Sequence, residues 1–331
     1  MKDNKIKVFI DFEAITNNYL KRLPINLNIR FLPYCYTIGI YRDNDPKKAF
    51  MTRTSIMSFK SFKYRVYINK LKSNLLSDIS ILAKEEITIQ NIKNKVEFYG
   101  WNPEMENVIL NKLFNTNCFN VSRHKGRPVA LKIIVPHLEN VDYFPQTKKI
   151  LTEKFDDINI EEFNEPGFAC SYLGYIRLCL FNKFKMPGKI RITQLDFQTI
   201  DSEIVNYNKE DVIKLDYCYK NQEIILDRSR KLESINQRIG KSSQELHSQR
   251  NQLKRFKKFA LDDKKKTQHI DIENLKKTTE YQIQELKSLL NFMKSLPENV
   301  ATIEEAIMWS ELKIENTEDR LQNLRKEKVE L

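Results

Sequence analysis

The sequence predicts an α/β domain over residues 1–220, a central mixed sheet flanked by helices, followed by an α-helical coiled-coil domain over residues 221–331. Two observations carry this expectation. Up to about residue 220, β-branched and aromatic runs alternate with helix-like segments, and three strand-like runs come first, the pattern of helices packed on one sheet. Beyond Asn221 glycine nearly vanishes, and apolar residues recur at alternating three- and four-residue spacings, the seam of a coiled coil.

The elements follow in order. Lys7–Phe12 (KVFIDF) reads as a buried strand, and Pro33–Tyr41 and Ala49–Ile56 as the next two strands of a meander. Phe62–Lys84 is helical in pattern and Val96–Gly100 a short strand. Pro103 opens a helix running to about Phe114, because proline is tolerated in a first helical turn. Ala130–Val135 reads as a further strand, and Phe168–Phe184 as a largely apolar helix. In the second part three arms carry the seam. Leu232, Ile235, Ile239, Leu246 and Leu253 mark the first, Ile272–Leu296 the second, and Val300, Ile303, Ile307, Ile314, Leu321 and Leu324 the third. Ser242, Gln249, Thr279, Gln282, Ser310 and Thr317 are polar members, which cost stability and fix register and partner. Such arms either fold back on one chain or pair with another. The third runs to Leu331 with its heptads intact, which favours self-association as a homodimer or with a protein partner.

Composition excludes several classes. No apolar run approaches the roughly 18 residues of a membrane helix, and Asp11 and Glu13 interrupt any secretory apolar region near the start. The five cysteines are widely spaced with no C-x-x-C pair, so a zinc site or disulfide framework is not expected and reduced thiols in a cytoplasm are. Seven glycines leave no glycine-rich phosphate loop. The net charge is +12, and residues 1–220 carry +9 of it. Two readings of that excess stand side by side, a surface that approaches a polyanion and a generally lysine-rich chain.

Three sites hold residues with chemistry. Asp11 and Glu13 are two apart on the first strand and project from one face, where a divalent cation would neutralise them; two solvated acids at a strand end are the alternative. Asn102, Glu104 and Glu106 stand where strand VEFYG gives way to a helix, and helix capping with a favourable dipole accounts for all three. Tyr207 and Asp211 are four apart and share one helix face, as a surface pair also would.

Together and in this order the three sites resemble the DEDD superfamily of 3′–5′ exonucleases, tyrosine subclass, over roughly residues 5–220. Asp11 and Glu13 match D-x-E; Asn102, Met105, Glu106 and Leu110 match the second motif; and Tyr207 and Asp211 match Y-x-x-x-D. Glu106 stands where most members have Asp. Around Asp142, VDYF is similar to the strand that follows the second motif. The resemblance implies a ribonuclease-H-like fold, two Mg²⁺ or Mn²⁺ ions, and metal ligation by Asp11, Glu13, Glu106 and Asp211. It further implies that Asp11 bridges the ions, Glu13 and Asp211 complete the one that activates water, Tyr207 hydrogen-bonds that water, and Glu106 serves the other ion.

In-line phosphodiester cleavage needs relief of charge on both attacking and leaving oxygens, which two ions about 4 Å apart provide. The expected activity is exonucleolytic hydrolysis of single-stranded DNA or RNA ends. Its strand path is sought in Asn102, in Lys60, Lys63, Arg65 and Lys70, which interleave with Tyr64 and Tyr67, and in Arg123, Lys125 and Arg127. Lys183, Lys185, Lys189 and Arg191 form a further cluster. The alternative function is a catalytically inactive nucleic-acid-binding or scaffold protein that acts through its coiled coil.

Overall fold

The computed structural model describes residues 5–122, 129–135, 144–154, 165–184, 196–265, 296–297 and 303–330. The chain forms two compact units, Met1–Ser229 and Arg230–Leu331.

The first unit is built on a five-stranded mixed sheet of order β3-β2-β1-β4-β5. Strand β1 (Ile6–Thr16) pairs antiparallel with β2 (Phe31–Tyr41), which pairs antiparallel with β3 (Phe50–Ile56). On its other side β1 runs parallel to β4 (Val96–Gly100), and β4 to β5 (Cys118–Asn120). Helix α1 (Asn17–Leu20) follows β1, α2 (Tyr64–Ala83) follows β3, and the short α3 (Ile92–Lys95) leads into β4. The crossover helix α4 (Glu104–Phe114) returns the chain from β4 to β5.

Strand alternation sorts the two faces. Val8, Ile10 and Phe12 of β1, with Tyr36 of β2 and Phe98 of β4, bury against α2 and α4: Phe12 packs on Tyr36, Phe98 stacks on Phe114, and the Tyr36 hydroxyl donates to Asp78 of α2 at 2.7 Å. Arg53 and Ser55 of β3 also donate to Asp78, so this buried carboxylate has three partners. The opposite face carries Phe9, Asp11 and Gly39, and lies under α8 (Phe197–Lys220). A Cβ at Gly39 would come within 2.9 Å of Val212, so glycine lets that helix close on the sheet. Helix α7 (Pro166–Phe181), apolar almost all round, packs on the far end of β1, where the Tyr34 hydroxyl donates to the Cys170 carbonyl. The side chain of Asp196 caps α8, and an ion pair between buried Arg177 and half-buried Asp201 ties α7 to α8.

The expected strand at Ala130–Val135 is instead one helical turn, α5 (Leu131–Ile134). The reason lies in its backbone partners: the Val129 carbonyl accepts from Trp101 and Asn102, and the Ile134 carbonyl from Arg228, while Ile134 and Val135 bury their side chains. Helix α6 (Pro145–Lys154) begins with its Gln146 and Thr147 N–H groups bonded to Glu203 of α8.

Helix α9 (Gln222–Lys265) begins in the first unit and continues into the second, where α10 (Ile303–Glu330) pairs with it. Arg238 bonds Glu327, Glu245 bonds Arg320, Arg250 bonds Glu318 and Lys257 bonds Glu311, so partner numbers fall as position rises and the two helices run antiparallel. Leu232, Ile235, Ser242 and Gln249 of α9 and Ala306, Ser310, Thr317, Leu321 and Leu324 of α10 are buried. The first and third arms therefore meet within one chain. Ser310 and Thr317 satisfy their hydroxyls on the carbonyls four residues back, of Ala306 and Lys313. Most of the second arm, including Thr279 and Gln282, lies outside the described residues.

Candidate metal centre

Two elements bring the acidic side chains together. Strand β1 pleats Asp11 and Glu13 onto the face beneath α8, and Asp211 comes down from that helix. Carboxylate oxygens of Asp11, Glu13 and Asp211 lie within 4.8 Å of one another, a span one cation can bridge. Directly after Glu13 the β1–β2 register shifts through a bulge, so the pairing changes where the carboxylates emerge.

Glu106 approaches from elsewhere. It sits on the first turn of α4, against the other face, and is 5% exposed. Its carboxylate takes backbone hydrogen bonds at Phe12 and at its own residue. The β1–β4 ladder ends at Phe9–Tyr99, so among the described residues no strand pairs with Phe12 on that side. Glu106 thus stands outside the three-carboxylate group, although its charge reaches Asp11 and Glu13.

The electrostatics are those of crowded acids out of water. Burial, then the charges of Glu13, Asp211 and Glu106, hold Asp11 well above the usual carboxylate range. Burial and Asp211 push Glu13 up to about 8, and burial pushes Glu106 up to about 7. Asp211 is raised by burial, against the opposing pull of Lys214 and a hydrogen bond from Tyr207. Residues to which the sequence motifs give no role supply the countering bonds. Asn208, fully buried, donates its amide to Asp11 at 2.5 Å and also reaches Glu13, to which the Cys170 thiol bonds as well. Lys214, 1% exposed, sets its ammonium 3.2 Å from Asp211. One signal was available for Asn208: it lies four residues from Ile204 and from Val212, in an apolar row where a polar residue needs a partner.

The remaining expected residues are placed as follows. Tyr207 packs against Phe144, and burial pushes its hydroxyl pKa up. Asn102 does not cap α4: its backbone is left-handed, with φ 43°, and its side chain donates to the Val129 carbonyl and accepts from Asn120. Lys60, Lys63, Arg65 and Lys70 are exposed on and before α2. Tyr67, expected to interleave with them, is turned inward, stacked on Phe59 with its hydroxyl donating to the Pro33 carbonyl. It is unavailable to a base because α2 buries that row against the sheet. Arg123, Lys125, Arg127, Asp142, Lys185, Lys189 and Arg191 lie outside the described residues.

No family model, no curated protein and no solved structure matches this chain. Among the described residues no helix is long and apolar enough to cross a membrane. What the site can do follows from its own donor set: hard carboxylate oxygens from two elements, converging with excess negative charge, fit a divalent cation such as Mg²⁺ or Mn²⁺.

Proposed function

We propose that the chain hydrolyses phosphodiester bonds in nucleic acid with divalent cations, as a 3′–5′ exonuclease on single-stranded DNA or RNA ends. The observation that carries this reading is the convergence of Asp11, Glu13 and Asp211, from positions about 200 residues apart, on one partly covered point. The strand order and the parallel β1–β4 pair support a ribonuclease-H-like core, and the antiparallel α9–α10 pair supports the coiled-coil reading of the second unit.

In the reaction, water adds to phosphorus, one ester P–O bond breaks, and the leaving oxygen gains a proton. Mg²⁺ or Mn²⁺ ions supply a Lewis acid for the phosphate and acidify water. Asp11, Glu13 and Asp211 would hold the ion, with Asn208 and Cys170 fixing the first two. Tyr207, bonded to Asp211, orients the water. Glu106, whose carboxylate stands at the Phe12 backbone, would help hold a second ion, directly or through water. Exposed Lys60, Lys63, Arg65 and Lys70 supply phosphate contacts. The helical pair recruits a second copy or a protein partner.

The test is a labelled single strand with Mg²⁺ or Mn²⁺, wild type against Asp11→Ala. Shortening by wild type, absent in the variant and in chelator, is the expected result. An intact strand with both proteins leaves the binding or scaffold role as the reading.

A further inference from the structure

We propose that Lys214 is a resident counter-cation of this site, sharing Asp211 with the divalent ion and weakening the site's hold on it. This deepens the reading above and rests on it. Lys214 is 1% exposed, so its ammonium depends on protein partners in place of water. Its Nζ lies 3.2 Å from Asp211 Oδ1 and 3.6 Å from Glu210 Oε1. Both acids are on its own helix, three and four residues back, so α8 itself sets the geometry. Asp211 at the same time belongs to the group of three carboxylates within 4.8 Å.

One carboxylate thus faces two cations. The ammonium draws on Oδ1, and a divalent ion must bind the same group a few ångströms away. A single and a double positive charge at that separation repel strongly in a site from which water is largely excluded. The ammonium also offsets like charge among the acids, which keeps the metal-free site assembled. An apolar side chain at position 214 would lift the repulsion and leave the acids less compensated, so the site would bind the ion more tightly and depend on it more.

The test measures Mn²⁺ binding by the full chain, through the free-ion electron paramagnetic resonance signal, for wild type, Lys214→Met, Lys214→Arg and Asp11→Ala. Lys214→Met is expected to bind at least about tenfold more tightly, and its melting temperature to rise more on Mn²⁺ addition than that of wild type. Lys214→Arg, which keeps the charge, is expected to stay close to wild type. Equal or weaker binding by Lys214→Met overturns the proposal. A Lys214→Met chain that folds only with Mn²⁺ supports it; one that stays unfolded with or without the ion shows a purely structural lysine and overturns it. Asp11→Ala separates the two readings. Undiminished Mn²⁺ binding by that variant ends the site assignment itself, whereas lost binding together with an unchanged Lys214→Met affinity ends the Lys214 proposal alone.

Discussion

Helix α8 covers one face of the sheet with two opposite chemistries. Toward its C-terminal end, Tyr219 closes over a cluster of Phe9, Tyr41, Phe50 and Tyr99, whose ring centroids are mostly 5–6 Å apart with edge-to-face contacts. Two residues along β1 from Phe9, the same face holds Asp11 and then Glu13, covered by Asn208 and Asp211. The aromatic end gains stability from every contact it makes. The acidic end gathers like charges away from water, at a cost that bound cations would offset. One strand therefore carries a region selected for packing beside one that packing alone would not favour.

The largest effect expected from this contrast is on activity. Asp11→Ala should lower the cleavage rate on the order of 10⁴-fold while leaving the metal-free protein at least as stable as wild type, read by single-turnover kinetics and denaturant melts in chelator. A variant that loses stability and activity together would make the acids structural. Next in size, Phe9→Ala should cost about 4 kcal/mol of unfolding free energy, with activity falling only as the folded fraction falls.

The third test is pH. In the folded state Glu13 sits near 8 and Glu106 near 7, against an ordinary value of 4.5. Between those values the folded chain keeps protons that the unfolded chain has released. Stability without metal should therefore fall as pH rises from about 5 to about 8, by on the order of 6 kcal/mol for the two groups together, and saturating Mn²⁺ should flatten the slope. A flat profile in chelator would show that the carboxyls are better solvated than their burial implies. The smallest effect belongs to Tyr207→Phe, which should slow cleavage about tenfold with strand binding nearly unchanged. Equal rates would remove that hydroxyl from the mechanism.

Much of this arrangement could be read from local pattern. The leading meander, the strand at Val96–Gly100 and the helix opening near Pro103 follow from β-branched runs and a proline. The pairs Asp11/Glu13 and Tyr207/Asp211 were legible because spacings of two and four place residues on one face. What was not legible depends on neighbours distant in sequence. Nothing near Cys170 indicates that it meets a carboxylate, since that meeting is set by how α7 docks. Lys214 meets Asp211 and Glu210 by local helix spacing, and only its burial depends on distant neighbours. Tyr67 reads as part of a basic, aromatic surface until the sheet claims its side of α2. Ala130–Val135 suits a strand by composition, but it forms a helical turn held by Arg228 at the Ile134 carbonyl and, just before it, by Trp101 and Asn102 at the Val129 carbonyl.

The early end of β4 has a consequence for solubility. Past Phe9, β1 has no strand neighbour on that side among the described residues, although it is the middle strand of the sheet. Bare strand donors invite pairing with a foreign chain. Here side chains take them: Glu106 bonds the Phe12 backbone, and the Ser171 hydroxyl accepts from the Thr16 N–H at 2.9 Å. Two residues from separate helices thus occupy backbone groups of β1, which shields the strand from adding a stray neighbour and seeding aggregates.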